Sequence, residues 1–220
     1  MTKTAKTSTN RFGRTQTLVI TSLLAALIMI MTFTGIGYIP IGPLKLTFLV
    51  LPVAIGSIIL GPKIGLLLGT IFGLSSFITC FGLDAFGAVL LSINPFYTFV
   101  TCVVPRMLCG FLPGLIYKGL ANNKFLAKYD KQDITATSIA SVSTALINTL
   151  FFLGFMWLLF AEDFLNNEEV IGVLGGTVIG SFKTLIVAFA GVNAIVESAT
   201  ALILGTAIIK ALRYCLKRLS

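Results

Sequence analysis

The feature that most constrains this chain is the separation of its charged residues from its apolar ones. Long apolar stretches with few charges alternate with short polar breaks, and the basic residues fall in every second break. A bilayer core about 30 Å thick needs roughly 20 apolar residues per helix, so several of these stretches are long enough to span it. The pattern predicts an all-α membrane protein.

The apolar stretches predict six transmembrane helices. Their approximate ranges are 17–36, 46–61, 64–82, 88–116, 134–160 and 178–210. Most Lys and Arg residues lie before the first helix and after the second, fourth and sixth, and short loops rich in these residues stay cytoplasmic. Both termini are therefore predicted to be cytoplasmic.

This topology divides the chain into three parts. We expect a basic cytoplasmic tail over residues 1–16, a single six-helix transmembrane domain over 17–212 and a second basic cytoplasmic tail over 213–220. The external side receives Lys45 and Asp84, together with an acidic loop after the fifth helix. The net charge of +8 thus comes from loops and tails that meet anionic headgroups, and no nucleic-acid partner is predicted.

Several functional classes are disfavoured by residues that the chain lacks. It has no histidine, which removes His-based catalytic triads and most zinc sites. It has no GxxxxGK[ST] phosphate-binding loop, so energy from ATP would have to come from a partner. The four cysteines do not have the spacing of metal ligands. No catalytic residue, metal or cofactor is predicted in this chain.

Three charged residues fall inside predicted transmembrane helices. A charge at the centre of such a helix costs about 2.5–3.5 kcal/mol on insertion scales. The predicted topology places Arg106 and Glu197 toward the cytoplasmic ends of the fourth and sixth helices, and Lys183 near the external end of the sixth. We therefore predict an intramembrane ion pair between Arg106 and Glu197.

Uncharged polar residues also lie at membrane depth. The fifth helix carries a polar stripe at spacings of four, three and four residues, formed by Thr137, Ser141, Thr144 and Asn148. The fourth helix carries Asn94, Thr98 and Thr101 in the same manner, with Pro95 suited to a helix that bends around a cavity. These side chains either hydrogen-bond one another or line a ligand cavity in the external half of the membrane, together with Lys183.

The first external loop, Gly35 to Leu46, has the sequence GIGYIPIGPLKL. Its glycines and prolines predict a stiff apolar connection that is long enough to cap a cavity. Tyr38 and Lys45 would touch a ligand if the loop is a lid. The alternative is a connecting turn in which Tyr38 is an interfacial anchor.

Three segments carry a resemblance to a known family. They are PVAIGSIILGPKIGLLLGTIFGLSSF across the second and third helices, INPFYTFVTCVVPRMLCGFLPGLIY on the fourth and VNAIVESATALILG on the sixth. With the short six-helix plan, these segments resemble the substrate-binding S component of energy-coupling-factor vitamin transporters, and most closely its riboflavin and pantothenate branch.

The resemblance implies a function and a set of partners. An S component in the membrane of a prokaryotic cell captures a vitamin from outside, and then associates with a transmembrane coupling protein and two ATPases, which release the vitamin inside. The resemblance implies that the first helix docks on the coupling protein through Ser22 and Ala26, at four-residue spacing. The substrate-binding residues that it implies, with the two from the first loop, are Asn94, Tyr97, Asn148, Lys183, Tyr38 and Lys45.

Pantothenate is the predicted ligand. Lys45 and Lys183 on the external side favour an anion, and the hydroxyls of pantothenate suit Asn94 and Asn148. Riboflavin is the alternative within the family, because aromatic side chains of the fourth and fifth helices could stack on its rings. Two further alternatives remain open: a stand-alone proton-coupled carrier that uses Glu197, and a structural subunit without a ligand.

Overall fold

The computed structural model describes residues 13–41, 44–122, 134–174, 180–181, 183, 186 and 191–218. The chain begins with helix α1, Arg14–Phe33. It continues into two short antiparallel strands, β1 (Tyr38–Ile41) and β2 (Leu44–Thr47), in which Tyr38 lies opposite Thr47. The loop predicted over Gly35 to Leu46 therefore forms a β-hairpin, whose two strands the all-α prediction did not include. The segments Ile39-Pro40-Ile41 and Leu44-Lys45-Leu46 lie in the two strands, and apolar residues alternate with another residue type in both.

Helices α2 (Val50–Ile59) and α3 (Pro62–Thr79) follow the hairpin. A glycine with a φ of +103°, Gly61, separates them, and Pro62 occupies the first turn of α3, where its missing N–H costs no hydrogen bond. Nearly every residue of α2 is buried, so this helix lies at the centre of the core. The prediction of one helix over 46–61 was wrong at its start, because residues 44–47 belong to the hairpin.

The predicted fourth helix, 88–116, is two helices. They are α4 (Ala85–Ile93) and α5 (Pro95–Ala121), and the chain between them is extended at Asn94, with a φ of −152° and a ψ of 104°. The physical reason is Pro95, whose ring disfavours helical backbone at the preceding residue. Arg106 consequently lies near the middle of α5 rather than toward a cytoplasmic end.

The second half of the chain contains α6 (Ile134–Asn166) and the short α7 (Glu168–Val173). After a section that is described only in part, α8 (Gly191–Thr200), a π-helical segment (Ala201–Gly205) and α9 (Thr206–Arg218) form a continuous helical stretch. Helical structure extends beyond the predicted ends at 160 and 210, although the backbone of Phe160 is non-helical (φ −126°, ψ 18°), so α6 has a kink at the predicted end at 160. The predicted start of the sixth helix at 178 falls largely outside the described residues.

The chain is a multi-pass membrane protein of helical class. Within the described ranges, α1, α3, α5 and α6 are long and apolar enough to cross a membrane. Helix α2 is apolar but shorter, and α8, the π-helical segment and α9 divide the last helical stretch. The count of six spans and the cytoplasmic side of both termini stay predictions.

Helices α3 and α5 pack backbone against backbone. A Cβ atom added to Gly69 would collide with the carbonyl oxygen of Arg106, and one added to Gly73 would lie 2.7 Å from the Cα of Val103. Gly65 and Gly110 face each other in the same interface. Glycines at four-residue spacing permit such a close approach between membrane helices. This contact fixes the position of the α5 turn that carries Arg106.

Substituting Gly69 with valine should therefore destabilise the protein. The added side chain must displace the backbone of α5, and overpacking of this kind typically costs about 1–3 kcal/mol. We expect Gly69→Val to lower the Tm of the detergent-purified protein by several degrees. Gly154→Val is the matched control, because a Cβ atom at Gly154 of α6 would have no heavy atom within 4 Å. Equal Tm values for the two variants would contradict the close contact.

Candidate ligand-binding site

A cavity of about 380 Å³ lies beside the hairpin, within the size range of small-molecule sites. Its wall is formed by the end of α1, the hairpin, the last half of α3, α4, the first half of α5, the middle of α6 and Glu197 of α8. Charged and polar side chains converge in this wall. They include Arg106, Thr101, Asn148, Thr149, Thr47 and Glu197.

Arg106 supplies the positive charge of the cavity wall. Its Nη1 atom donates to the carbonyl oxygen of Thr101 at 2.9 Å, and its Cζ atom lies 4.3 Å from the ring centroid of Phe152 and 5.5 Å from that of Phe72. The residue is 8% exposed, and its Nε–H has no hydrogen-bond partner among the residues that the structure describes. A buried guanidinium with an unused donor is suited to an anionic group, because carboxylates pair with Arg through short charge-assisted hydrogen bonds.

Two uncharged residues near Arg106 also have unused polar atoms. Within the described part of the chain, the Oδ1 atom of Asn148 and the Oγ1 atom of Thr101 are buried without a hydrogen-bond partner, and both residues line the cavity. Buried polar atoms are nearly always hydrogen-bonded in folded proteins, so such exceptions call for an explanation. A polar ligand in the cavity would supply the missing partners.

Glu197 supplies a carboxylate to the same cavity. Its Oε1 atom accepts a hydrogen bond from the backbone N–H of Thr47 at 3.0 Å, and its Oε2 atom accepts one from the Thr149 hydroxyl at 3.1 Å. The predicted ion pair between Arg106 and Glu197 is not seen among the described residues. The two charges share one cavity, but each hydrogen-bonds to other groups in the described part of the chain.

The predicted site residues have different positions relative to this cavity. Tyr38 and Asn148 line it. The side chain of Asn94 instead caps α5, accepting hydrogen bonds from the backbone N–H groups of Phe96 and Tyr97 at 3.1 Å each. Tyr97 is 39% exposed and packs edge-to-face against Phe160, with 6.0 Å between ring centroids.

The two predicted lysines do not contribute to the described wall. Lys183 is exposed and lies outside the cavity lining. The backbone of Lys45 belongs to β2, but its side chain lies outside the described residues. Two acidic residues, Asp84 and Glu197, also line the cavity, and the prediction of an anion site from Lys45 and Lys183 did not include them. Asp84 also caps α4 by accepting the Gly87 N–H at 3.2 Å.

Tyr38 connects the hairpin to the cavity. It stands at the start of β1, and burial raises the pKa of its phenol to about 12. The phenol therefore stays protonated at physiological pH and keeps its ability to donate a hydrogen bond. The hairpin thus presents both Tyr38 and Thr47 to the cavity, and its role as a lid stays a prediction.

Sequence reasoning missed several wall residues. Thr47 and Thr149 were not predicted, although both contact Glu197. The polar stripes were informative in part. Thr98 and Thr101 line the cavity, whereas in the α6 stripe only Asn148 does so, and the other members are buried elsewhere in the bundle. The charges at membrane depth were the strongest available signal, since Arg106 and Glu197 both reach the site.

Ser22 and Ala26 are not part of the cavity lining. Both are exposed on α1, whose buried residues, Thr21, Leu24, Ile28 and Thr32, form the opposite flank of the helix. Large apolar side chains on the same helix are also exposed, among them Leu18 and Ile30. This face of α1 is therefore open to lipid or to another membrane protein.

The chain matches one protein family and is similar to two transporters. The model of a family described as ECF transporter, substrate-specific component, matches residues 16–209. A pantothenic acid transporter, PanT, of Lactococcus lactis subsp. cremoris is 34% identical over 180 residues, which are 77% of this chain and 79% of that protein. A pantothenate transporter of Leuconostoc mesenteroides subsp. mesenteroides is 28% identical over 186 residues, covering 82% of this chain and 88% of that protein.

Proposed function

Because the chain belongs to the family of ECF transporter substrate-specific components, we propose that it is a pantothenate-specific subunit. It binds pantothenate from outside the cell in the cavity beneath the hairpin. It then delivers the vitamin to the cell interior in complex with a transmembrane coupling protein and two ATPases. ATP is used by those partners, in keeping with the lack of a phosphate-binding loop in this sequence.

The observation that carries this proposal is the buried, incompletely hydrogen-bonded guanidinium of Arg106. Pantothenate has one carboxylate, one amide and two hydroxyls. Its carboxylate would complete the hydrogen bonding of Arg106, and its other polar groups would pair with Asn148 and Thr101, whose cavity atoms lack partners. The names of the two PanT relatives support the same ligand.

Riboflavin is less suited to this cavity. Two aromatic rings in the wall, those of Phe72 and Phe152, are candidates for stacking on a flavin, but the guanidinium of Arg106 already lies against both. Riboflavin is uncharged at neutral pH and offers no anion to Arg106. An uncharged ligand would add no carboxylate acceptor for the unused Nε–H of Arg106.

The proposed orientation places the cavity on the external side of a bacterial plasma membrane, with six spans and both termini in the cytoplasm. Basic residues before α1 and at the end of α9 support the cytoplasmic termini. With this orientation, the end of α1 and the hairpin are external. The cavity beside them then faces the side from which a vitamin arrives.

Mass spectrometry of the purified protein tests the ligand directly. The protein is purified in detergent from cells grown with water-soluble vitamins and then denatured, and the released small molecules are identified. Stoichiometric pantothenate, with no riboflavin, is the expected result. Release of a different vitamin, or no binding of added pantothenate by the emptied protein, would overturn the assignment.

A reconstitution experiment separates the proposal from a stand-alone carrier. In liposomes containing this subunit alone, we expect binding of pantothenate without accumulation under a proton gradient. Accumulation by the isolated subunit would show a carrier and contradict the dependence on a coupling module.

A further inference from the structure

Glu197 is a buried carboxylate in the cavity wall that the recognition of a carboxylate ligand does not require. It is 5% exposed and belongs to α8. We propose that Glu197 is a specificity-determining residue: it accepts a hydrogen bond from a hydroxyl of the bound ligand while it holds the hairpin over the cavity. This inference rests on the proposed function, because it concerns the hydroxyl-bearing end of pantothenate.

The Glu197 carboxylate can accept more hydrogen bonds than the described protein donors supply. An ionised carboxylate offers about four lone-pair sites. Among the described residues, one donor occupies a site on each oxygen: the Thr47 N–H on Oε1 and the Thr149 hydroxyl on Oε2. The remaining sites belong to a side chain that lines the cavity, so they are available to a donor on the ligand.

Burying the negative charge of Glu197 costs free energy, and this cost favours a functional role. Taking a carboxylate out of water costs several kcal/mol, and two neutral donors repay only part of that cost. A neutral amide side chain could accept the Thr47 N–H and would avoid the cost. Charged groups inside membrane segments are typically functional, and a charged acceptor forms stronger hydrogen bonds with a hydroxyl than a neutral one.

The positions of Arg106 and Glu197 in the cavity wall also favour this role. Arg106 lies over Phe152, and Glu197 hydrogen-bonds to Thr149, so the two groups contact successive turns of α6. The cavity thus presents a cation at one turn and an anion at the next. A ligand with a carboxylate at one end and hydroxyls at the other matches this order, because hydroxyls donate to Glu197 and a second anionic group would be repelled by it.

A π-helical segment directly after α8 helps to fix the position of Glu197. Among residues 196–212 of the last helical stretch, the buried positions are Glu197, Ala201, Gly205 and Ile209, at four-residue spacing. In a regular α-helix, this spacing would rotate the buried face by about 40° per step. The π-helical segment Ala201–Gly205 widens the turn and reduces that rotation. Gly205 then approaches Ser141 of α6, which holds the stretch against the bundle.

The hairpin shares this carboxylate with the ligand. Thr47 is the last residue of β2, and its Oγ1 atom accepts the Leu49 N–H at 3.2 Å, which fixes the exit from the hairpin. Since Glu197 holds the Thr47 N–H, a ligand bound to Glu197 is joined to the lid through one side chain. Ligand binding and hairpin position are thereby linked.

The experiment compares two ligands and two substitutions by isothermal titration calorimetry of the detergent-purified full chain. The ligands are pantothenate and its dideoxy analogue, which keeps the carboxylate and the amide but lacks both hydroxyls. We expect Glu197→Gln to weaken pantothenate binding by about tenfold and to leave the affinity for the analogue within about twofold of wild type. Glu168→Gln is the matched control, because Glu168 is an exposed acid at the start of α7 and should change neither affinity.

The pattern across the two ligands distinguishes the possible roles of Glu197. Equal weakening of both ligands by Glu197→Gln, with or without a lowered Tm, would show a structural tether only and overturn the inference. Unchanged affinity for pantothenate would overturn it as well. Failure of the wild-type protein to bind pantothenate would instead refute the proposed function, and the inference with it. Thr149→Val, which removes one neighbour of the carboxylate, should reproduce part of the pantothenate-selective loss.

Discussion

Arg106→Gln is expected to abolish most of the affinity for pantothenate. The variant keeps a donor for the Thr101 carbonyl but removes the charge that pairs with the ligand's carboxylate. Truncating one partner of a buried, hydrogen-bonded charge pair costs about 2–5 kcal/mol, which is roughly a thirtyfold to several thousandfold loss in affinity. Isothermal titration calorimetry of the detergent-purified variant measures this loss.

A ligand without the carboxylate isolates the charge interaction. Panthenol has an alcohol in place of the carboxylate of pantothenate, so it cannot pair with the guanidinium. The wild-type protein should strongly prefer pantothenate, and Arg106→Gln should remove most of this preference. Arg106→Lys should restore little of it, because an ammonium group lacks the planar fork that binds a carboxylate through two parallel hydrogen bonds.

Lys183→Gln is the matched control for the loss of one positive charge. Lys183 is exposed and outside the described cavity lining, so its substitution should leave the affinity for pantothenate close to that of wild type. The reverse result, a large loss from Lys183→Gln and little effect from Arg106→Gln, would contradict the assignment of the carboxylate to Arg106. It would support the site predicted from the sequence instead.

The difference between these two cations shows what the sequence could predict about the site. The cost of a charge at membrane depth identifies Arg106, Lys183 and Glu197 without any structure. Which of them share a cavity depends on the rotation and ends of each helix. A boundary error of a few residues moved Arg106 from the predicted cytoplasmic end of a helix to the middle of α5, and this changed its expected neighbours.

Asn94 shows an error that local rules could have prevented. It was assigned to a polar stripe with Thr98 and Thr101, on the assumption of one continuous helix. The residue before a proline is biased toward extended backbone, and Asn is a preferred N-cap, so Asn94-Pro95 is a typical helix start. The structure has this start, with the Asn94 side chain hydrogen-bonded to the first turn of α5.

The contacts of Glu197 could not have been predicted by such rules. Thr47 and Thr149 are separated from it by 150 and 48 residues along the chain. Threonines are common in membrane helices and strands, and nothing in their spacing marks these two. Their contact with Glu197 is a product of tertiary packing, in particular of the position of the hairpin above α6 and α8. The sequence predicted a stiff apolar connection at this place and did not predict the two paired strands.

The exposed face of α1 is expected to serve uptake and not ligand binding. Ser22→Trp and Ala26→Trp should each abolish pantothenate uptake while leaving pantothenate binding intact. Small residues at four-residue spacing allow a second helix to approach closely, and an indole at either position would block that approach. Both positions are exposed in the described structure, so the substitution meets no atom of the core.

The measurement needs both readouts on the same variants. Uptake of radiolabelled pantothenate is measured in cells that also produce the coupling protein and the two ATPases, and binding is measured on the purified subunit. Leu27→Trp is the matched control. Leu27 is 43% exposed on the same helix, but its side chain points about 140° away from that of Ser22. The Leu27→Trp variant should therefore retain pantothenate uptake.

The combination of results decides what the α1 face does. Lost uptake with retained binding in Ser22→Trp and Ala26→Trp, but not in Leu27→Trp, would assign the face to the coupling protein. Normal uptake in all three variants would refute that docking surface. Loss of both uptake and binding would indicate damage to the fold, which the position of these residues on the open flank of α1 argues against. A site for the vitamin and a surface for the energy-supplying partner would then be separate, and the subunit must transmit its state from the cavity to α1 through the packed helices between them.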